Sequence, residues 1–271
     1  MEWWHVVVLA LVQAATEFLP VSSSGHLGLV GFFLGWPYQG VTFDLALHAG
    51  TLGAVLLYYR NDLWQMTRSC ADPRLAGEEH TQNRRLAAIL VIGTIPAVIV
   101  GLAMGEAFAN TLRAPLLIAI NLIVFGLMLL AADRLGGKQR AWASLGWRDG
   151  LLIGLGQATA LIPGVSRSGI TMTVALALGM QRVDAARFSF LLSVPITIAA
   201  CAHGALNLWR GDEAFDAGAF MLGAGVALFA GLACIHFLLG FLRRAGMTPF
   251  VIYRVALGVV VLILVGSKTW T

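Results

Sequence analysis

Three side chains within the polar stretch EFLPVSSSGH, residues 17–26, are the kinds that a hydrolytic site requires. Ser23 is a nucleophile, His26 carries a titratable imidazole and Glu17 carries a carboxylate. Ser23 and His26 are three residues apart across a predicted helix start, which brings the imidazole within reach of the hydroxyl or of a substrate oxygen. Gln13 lies four residues before Glu17, so both side chains lie on one helix face beside the break. The stretch therefore predicts a catalytic group of Ser23, His26 and Glu17.

A second polar stretch, TALIPGVSRSGIT at residues 159–171, supplies residues that would bind a phosphate. Arg167 presents a planar fork of N–H donors that fits two phosphate oxygens at once. Gly25 and Gly169 each precede an apolar helical stretch, and a helix N-terminus binds anions through its unpaired N–H groups and positive dipole end. The predicted hydroxyl ligands, besides Ser23, are Ser22, Ser24, Ser166 and Ser168. A structural alternative stays open, in which the serines cap helices and Arg167 forms an ion pair with Glu17.

The composition requires a membrane around these polar stretches. Hydrophobic residues make up 58% of the 271 residues, charged residues only 12%, and the mean hydropathy is +0.80. A soluble domain has about 25% charged residues, so this chain lacks the polar side chains to cover a water-exposed surface. The sequence pI of about 9.3 does not indicate a nucleic-acid partner, because the basic residues lie mostly in short loops between apolar stretches. We therefore predict an integral membrane protein with no nucleic-acid partner.

Six apolar stretches are long enough to cross a bilayer, namely 41–59, 86–105, 115–132, 188–207, 219–242 and 250–266. Thirteen Lys and Arg residues lie in the loops on one side of these spans and three on the other, which places the basic loops in the cytoplasm. Two more apolar stretches, 4–36 and 150–180, are each interrupted by Pro, Gly and Ser. The number of crossings makes each of them a re-entrant helix–break–helix hairpin, and the two hairpins enter from opposite faces. We expect their tips to meet.

The two hairpins also resemble each other in sequence. Residues 16–25, TEFLPVSSSG, align with residues 159–169, TALIPGVSRSG, when one glycine is treated as an insertion. We predict one membrane domain, residues 1–271, built from two repeats of opposite orientation at about 1–132 and 150–266. The predicted fold is thus an all-α polytopic membrane protein with six transmembrane helices and two re-entrant hairpins. Inverted repeats of this kind place a binding site near the bilayer centre.

The motifs of the chain, taken together, match one family pattern. Gln13 and Glu17 match (E/Q)xxxE, and residues 163–171 match PGxSRSxxT. FLPVSSSGH, FSFLLSVP at 188–195 and PFVIYR at 249–254 extend the pattern over the chain. The sequence resembles the undecaprenyl-diphosphate phosphatases of the bacitracin-resistance type. The resemblance implies a bacterial inner-membrane enzyme that hydrolyses undecaprenyl diphosphate to the monophosphate, recycles this carrier lipid for peptidoglycan synthesis, and has a site open to the periplasm.

The resemblance also implies roles for individual residues. It implies essential roles for Glu17, Ser23, His26 and Arg167, support from Ser166, Ser168 and Thr171, and stimulation by divalent cations. Many members have Glu where this chain has Gln13, which weakens a metal scheme with two carboxylates and makes Glu17 the sole acidic ligand of this motif. Gln13 offers a neutral amide oxygen instead. If Mg²⁺ or Ca²⁺ takes part, we expect the diphosphate to provide much of its coordination.

Several assignments stay open from the sequence. Either Ser23 attacks phosphorus, or it binds the substrate while a water attacks, and either Glu17 or His26 takes the proton. Arg254, inside the last span, either reaches the cytoplasmic edge of the membrane or lines the cavity. Broken helices with a midplane anion site are also typical of a transporter or a lipid flippase, whereas the catalytic group favours hydrolysis because transport needs no nucleophile. The sequence does not distinguish a monomer from a homodimer.

Overall fold

The computed structural model describes residues 2–37, 39–104, 114–209 and 216–267. Within these ranges the regular elements are helices, apart from one isolated β-bridge, so the predicted all-α class is confirmed. The helices are α1 (Trp3–Phe18), α2 (Ser23–Leu34), α3 (Val41–Tyr58), α4 (Arg60–Ala71), α5 (Glu78–Ala103), α6 (Pro115–Leu135), α7 (Trp147–Thr159), α8 (Arg167–Ala177), α9 (Arg182–Trp209), α10 (Ala217–Leu242) and α11 (Thr248–Gly266), with a short 3₁₀ helix at Trp142–Ser144. The predicted outer loops 106–114 and 208–218 lie mostly outside the described residues.

Five helices in the described ranges are long and apolar enough to cross a membrane: α5, α6, α9, α10 and α11. The remaining predicted span, 41–59, is the shorter apolar helix α3. Two predicted starts are too late, because α5 begins at Glu78 rather than at residue 86 and α9 begins at Arg182 rather than at residue 188. Hydropathy detects only the part of a helix that suits lipid, whereas both helices begin with polar residues.

The surface of these helices is apolar. Leu102 of α5, Phe229 of α10 and Ile263 of α11 are 78%, 73% and 63% exposed. Large contiguous apolar surface of this kind is rare on soluble monomers, whereas lipid accommodates it without cost. The fold is therefore that of a multi-pass membrane protein.

Both interrupted apolar stretches form helix–break–helix pairs, α1–α2 and α7–α8. Each break ends at a serine with a left-handed backbone, Ser22 with φ 81° and Ser166 with φ 77°. Each serine Oγ accepts a hydrogen bond from the backbone N–H three residues on, that of Gly25 at 3.2 Å and that of Gly169 at 3.1 Å. The two breaks thus share one cap geometry, and the capping interpretation of these two serines is confirmed. Such backbone angles cost of order 1–3 kcal/mol per non-glycine residue, so the surrounding contacts must hold them.

The two hairpins pack among the long helices and meet at their tips. α1 packs on α2 and α10, while α8 packs on α6, α7 and α9 and also contacts α1. Phe18, at the end of α1, meets Phe190 of α9 edge to face, with ring centroids 5.4 Å apart in the main core. Where α5 crosses α7, a Cβ on Gly154 would collide with the backbone of Gly93, so α7 needs glycine there. The predicted site residues lie where the tips meet.

Candidate active site

Glu17, in the last turn of α1, is the centre of the site. Its Oε1 accepts a hydrogen bond from Arg167 Nη2 at 2.9 Å, and its Oε2 accepts one from Ser23 Oγ at 2.5 Å. Gln13 Nε2 donates to the same Oε2 at 3.3 Å. Because Arg167 opens α8, its ion pair with Glu17 joins the tips of the two hairpins. The side chains of Arg167 and Glu17 are only 15% and 10% exposed, so each buried charge depends on the other for compensation.

Arg167 is held in place by residues behind it. Its Nη1 donates to the backbone O of Ser189, in α9, at 2.9 Å. Thr171 is buried, its Oγ1 donates to the backbone O of Arg167 at 2.8 Å, and the same Oγ1 lies 2.7 Å from Ser189 Oγ. Thr171 and Ser189 therefore fix the position of Arg167 within the fold. A guanidinium has five N–H donors, so the bonds to Glu17 and Ser189 leave others for a ligand.

The remaining predicted serine ligands differ in their contacts. Ser24 is exposed, and its Oγ lies 3.4 Å from that of Ser22. Ser168 is buried, and its Oγ donates to the backbone O of Leu19 at 3.2 Å, which ties the second break to the first. Ser22 and Ser166 are buried caps. Of this group, Ser23 and Ser24 therefore have side chains that a ligand can approach.

His26 lies beside Ser23 but bonds to other partners. Its Nδ1 lies 2.7 Å from the backbone O of Ser22, and its Nε2 lies 2.7 Å from the hydroxyl of Tyr253 in α11. The Ser23 hydroxyl instead donates to Glu17. The geometry therefore makes Glu17, not His26, the group that is positioned to take the proton of Ser23. Tyr253 lies in the PFVIYR run but was not among the predicted site residues.

Arg254 lies next to Tyr253 and joins both breaks. Its side chain is completely buried, so the interpretation that it reaches the cytoplasmic edge is wrong. The guanidinium donates at 3.0–3.3 Å to five backbone carbonyls, those of Pro20, Asn121, Leu122, Gly164 and Val165. Three of these carbonyls, those of Pro20, Gly164 and Val165, lie in the breaks, which leave them without helical partners, and a buried carbonyl needs a donor. A Cβ on Gly169 would lie 2.8 Å from Arg254 Nη1, so glycine at this position makes room for the guanidinium.

A cavity of about 340 Å³ adjoins the site. At one end it is lined by Ser24 and by Pro163 of the second break, and at the other by Trp36 and Gln39 of the α2–α3 connection. Most of its wall is apolar and comes from α1, α2 and α3, with His48 among the polar lining residues. The cavity therefore combines a polar end at the hairpin tips with a wall that suits hydrocarbon.

A divalent cation would find few protein ligands here. Among the described residues, no cluster of three or more His, Cys, Asp and Glu side chains is able to hold a metal ion. Gln13 Oε1, however, is buried beside Glu17 and has no hydrogen-bond partner. An unpaired buried oxygen costs about 1–3 kcal/mol, and a cation or a water would satisfy it. The residues therefore offer a cation at most two oxygen ligands here, one from Gln13 and one from Glu17.

The fold and the bonded Ser23–Glu17–Arg167 group define a multi-pass membrane protein with a site suited to phosphate chemistry. The chain belongs to the bacitracin resistance protein BacA family, whose family model matches residues 6–260. It is 46% identical over 258 residues to the undecaprenyl-diphosphatase of Nitrosococcus oceani, which covers 95% of this chain and 97% of the relative. It is 48% identical over 267 residues to undecaprenyl-diphosphatase 2 of Stutzerimonas stutzeri, which covers 97% and 98%. The family resemblance drawn from the motifs is confirmed.

Proposed function

We propose that the chain hydrolyses undecaprenyl diphosphate to undecaprenyl phosphate and inorganic phosphate, and thereby recycles the carrier lipid for cell-wall synthesis. The observation that carries this function is the nearly full-length identity, 46% and 48%, to two proteins named undecaprenyl-diphosphatases. The site supports it, because a nucleophile, a base and an arginine are hydrogen-bonded to one another. A transporter or lipid flippase has no need of such a nucleophile, so these observations favour hydrolysis.

The diphosphate binds where the two hairpin tips meet. Ser23 and Arg167 are the first residues of α2 and α8, and both bond to Glu17, so two positive helix ends converge there. The N–H groups of Gly25 and Gly169 donate to the serine caps and order these first turns. Arg167 supplies bidentate contact to the diphosphate oxygens. Arg167 thereby bridges Glu17 and the diphosphate, through the N–H groups that its bonds to Glu17 and Ser189 leave free.

The reaction proceeds by attack of Ser23 Oγ on the terminal phosphorus while its proton passes to Glu17 Oε2. The bond between that phosphorus and the bridging oxygen breaks, and undecaprenyl phosphate leaves with the electron pair. Water then attacks the phosphoserine, Glu17 returns its proton to Ser23 Oγ, and one proton of the water is released with the phosphate. Phosphoryl transfer depends mainly on positioning and charge stabilisation, which Arg167 and the helix ends supply. Direct attack by water, with Ser23 as a ligand, is the competing mechanism.

In the proposed reaction a divalent cation assists hydrolysis, although the protein supplies only part of its coordination. Gln13 Oε1 and Glu17 are the protein oxygens that would hold it, and the diphosphate provides further oxygens. A bound Mg²⁺ or Ca²⁺ would neutralise charge on the diphosphate. The unsatisfied oxygen of Gln13 is the structural support for this arrangement.

The proposed topology has six transmembrane helices and two re-entrant hairpins, with repeats at about 1–132 and 150–266 related by inverted orientation. The matched caps at Ser22 and Ser166 support the repeat relationship. The thirteen-to-three distribution of basic loop residues supports a cytoplasmic location for 60–85 and 133–149. The 340 Å³ cavity leads to the α2–α3 connection, on the face without the basic loops, and so supports a site that opens to the periplasm of an inner membrane.

The decisive experiment measures phosphate release by the purified protein in detergent. Undecaprenyl diphosphate should be hydrolysed, and the same preparation carrying Arg167→Lys should lose most of the activity. A C15 diphosphate run in parallel shows whether the prenyl length matters, since a 340 Å³ cavity holds only the first part of a C55 chain. Binding of the lipid without any release of phosphate would reject hydrolysis and favour the transporter alternative.

A further inference from the structure

The hydroxyl of Tyr253 meets a residue of the proposed site that lies 227 positions earlier in the chain. Tyr253 is 48% exposed, on the turn of α11 that also carries the buried Arg254. Its neighbour Ile252 is 64% exposed, so this part of α11 faces the lipid. A polar hydroxyl on such a surface is costly unless it is hydrogen-bonded, and His26 provides that bond.

The contacts of His26 determine which ring nitrogen carries the proton. Nδ1 lies 2.7 Å from the backbone O of Ser22, and a carbonyl oxygen only accepts, so Nδ1 is the protonated nitrogen. In the neutral ring Nε2 is then the acceptor, and Tyr253 donates its hydroxyl proton to it at 2.7 Å. The two rings are also stacked, with centroids 5.5 Å apart and planes 8° from parallel. The imidazole is therefore fixed in tautomer by one partner and in plane by the other.

This arrangement separates His26 from the proton of Ser23. Nε2 is the basic nitrogen of the neutral ring, and it points to Tyr253, while Ser23 Oγ donates to Glu17 Oε2 at 2.5 Å. Without the Tyr253 hydroxyl, Nε2 would lose its donor, and the imidazole would be free to turn about its remaining bond to the backbone O of Ser22. It would then compete with Glu17 for the Ser23 hydroxyl, three residues away on the same helix turn.

We propose that Tyr253 is a positioning residue that acts through His26: its hydroxyl donates to Nε2, fixes the orientation of the imidazole and keeps it off the Ser23–Glu17 pair. This inference deepens the proposed hydrolase function and rests on it for its kinetic part. Its structural part, the hydrogen bond from Tyr253 to His26 Nε2, stands independently of turnover.

The test is Tyr253→Phe, which keeps the stacked ring and removes only the hydroxyl. Loss of this hydrogen bond should lower kcat about tenfold or more, with KM changed less than about threefold. In protein labelled with ¹⁵N-histidine, the wild-type His26 signals should report a protonated Nδ1 and a hydrogen-bonded bare Nε2, whereas in Tyr253→Phe the Nε2 signal should shift to that of a bare nitrogen without a donor while Nδ1 stays protonated. His26 is assigned by the signals that disappear in His26→Gln.

The chain offers a matched control in a second tyrosine–histidine pair. The hydroxyl of Tyr58 lies 3.4 Å from Nδ1 of His236, and neither residue contacts the site. Tyr58→Phe should leave kcat and the His26 signals unchanged. The inference is supported only if Tyr253→Phe changes both kcat and the Nε2 signal of His26. A loss of kcat with an unchanged Nε2 signal, a changed Nε2 signal with normal kcat, or no change in either would each overturn it. Wild-type protein that shows the hydrogen-bonded Nε2 but no hydrolysis would instead reject the proposed function.

Discussion

Arg254→Lys removes the guanidinium that joins the two breaks while keeping its positive charge. The native side chain uses Nε, Nη1 and Nη2 to make five bonds to carbonyls of α6 and of both breaks. Asn121 and Leu122 lie within α6, whose helical hydrogen bonds also pair their carbonyls, whereas the carbonyls of the breaks depend on Arg254. A lysine ammonium has three donors at a single point and cannot reach the carbonyls of both breaks, so at least one of these loses its partner. A buried carbonyl left unpaired costs about 1–3 kcal/mol, which is the expected loss. Total stabilities are typically only about 5–15 kcal/mol.

The assay is thermal unfolding of the purified protein in detergent, followed by a turnover measurement below the melting temperature. The expected decrease in melting temperature is roughly 2–12 °C. Turnover should fall as well, because the breaks that Arg254 holds carry Ser23 and Arg167 at their ends. Arg243→Lys is the control, since Arg243 is exposed directly after α10 and should tolerate the change. If Arg254→Lys had the melting temperature and the turnover of the wild type, the carbonyl contacts would contribute nothing to stability. The proposed role of Arg254 in holding the breaks would then be refuted.

Three further predictions address the site, the topology and the cytoplasmic face. Arg167→Lys should lower turnover about 10²-fold or more, because lysine cannot bridge Glu17 and the diphosphate as a planar fork does. In a background without native cysteines, single cysteines in 133–149 should resist an impermeant thiol reagent applied to intact cells, whereas those in 208–218 should react. The Arg140 guanidinium, at 2.8 Å, holds the pKa of Asp149 below its usual range, so Asp149→Asn should destabilise the protein at neutral pH, and its deficit should shrink below about pH 4.

Each of these has a result that contradicts it. Near-normal turnover of Arg167→Lys would reduce Arg167 to a structural partner of Glu17. Labelling of 133–149 from outside would reverse the proposed orientation. For Asp149 the sign follows from its lowered pKa: the ion pair stabilises above the unfolded-state pKa and is lost as the pH falls through the folded-state value. A deficit of Asp149→Asn that stayed constant down to low pH would show that the charge of this carboxylate is not the cause.

The breaks and their caps were predictable because their signals are local. Proline, glycine and serine within an apolar stretch mark a break wherever they occur, and the matched positions of Ser22 and Ser166 gave the two breaks the same cap. The pairing of Glu17 with Arg167 was also predictable in outline, because a charge inside a membrane protein needs a counter-charge. This ion pair is the structural alternative to phosphate binding that the sequence left open, and the structure contains it.

The roles of Tyr253 and Arg254 were not predictable from local pattern. Tyr253 reaches His26 and Arg254 reaches Pro20 across 227 and 234 positions of sequence. The sequence shows that Arg254 is an unusual charge within an apolar span. Which carbonyls it binds, however, depends on how α11 packs against α6 and the two breaks. The choice between Glu17 and His26 as the partner of Ser23 likewise depends on how α2 is rotated against α1, and spacing along the chain does not determine that rotation.

The role of Ser23 as nucleophile is the central claim, and the stereochemistry at phosphorus tests it most directly. A polyprenyl diphosphate with a chiral terminal thiophosphate is hydrolysed, and the configuration of the released thiophosphate is determined. Attack by Ser23 followed by attack of water inverts the phosphorus twice, so the account predicts net retention. Ser23→Ala should then be nearly inactive yet still bind the diphosphate, while Ser24→Ala, at the neighbouring exposed serine, should remain active. Net inversion would contradict the account and assign the attack to a water activated beside Glu17.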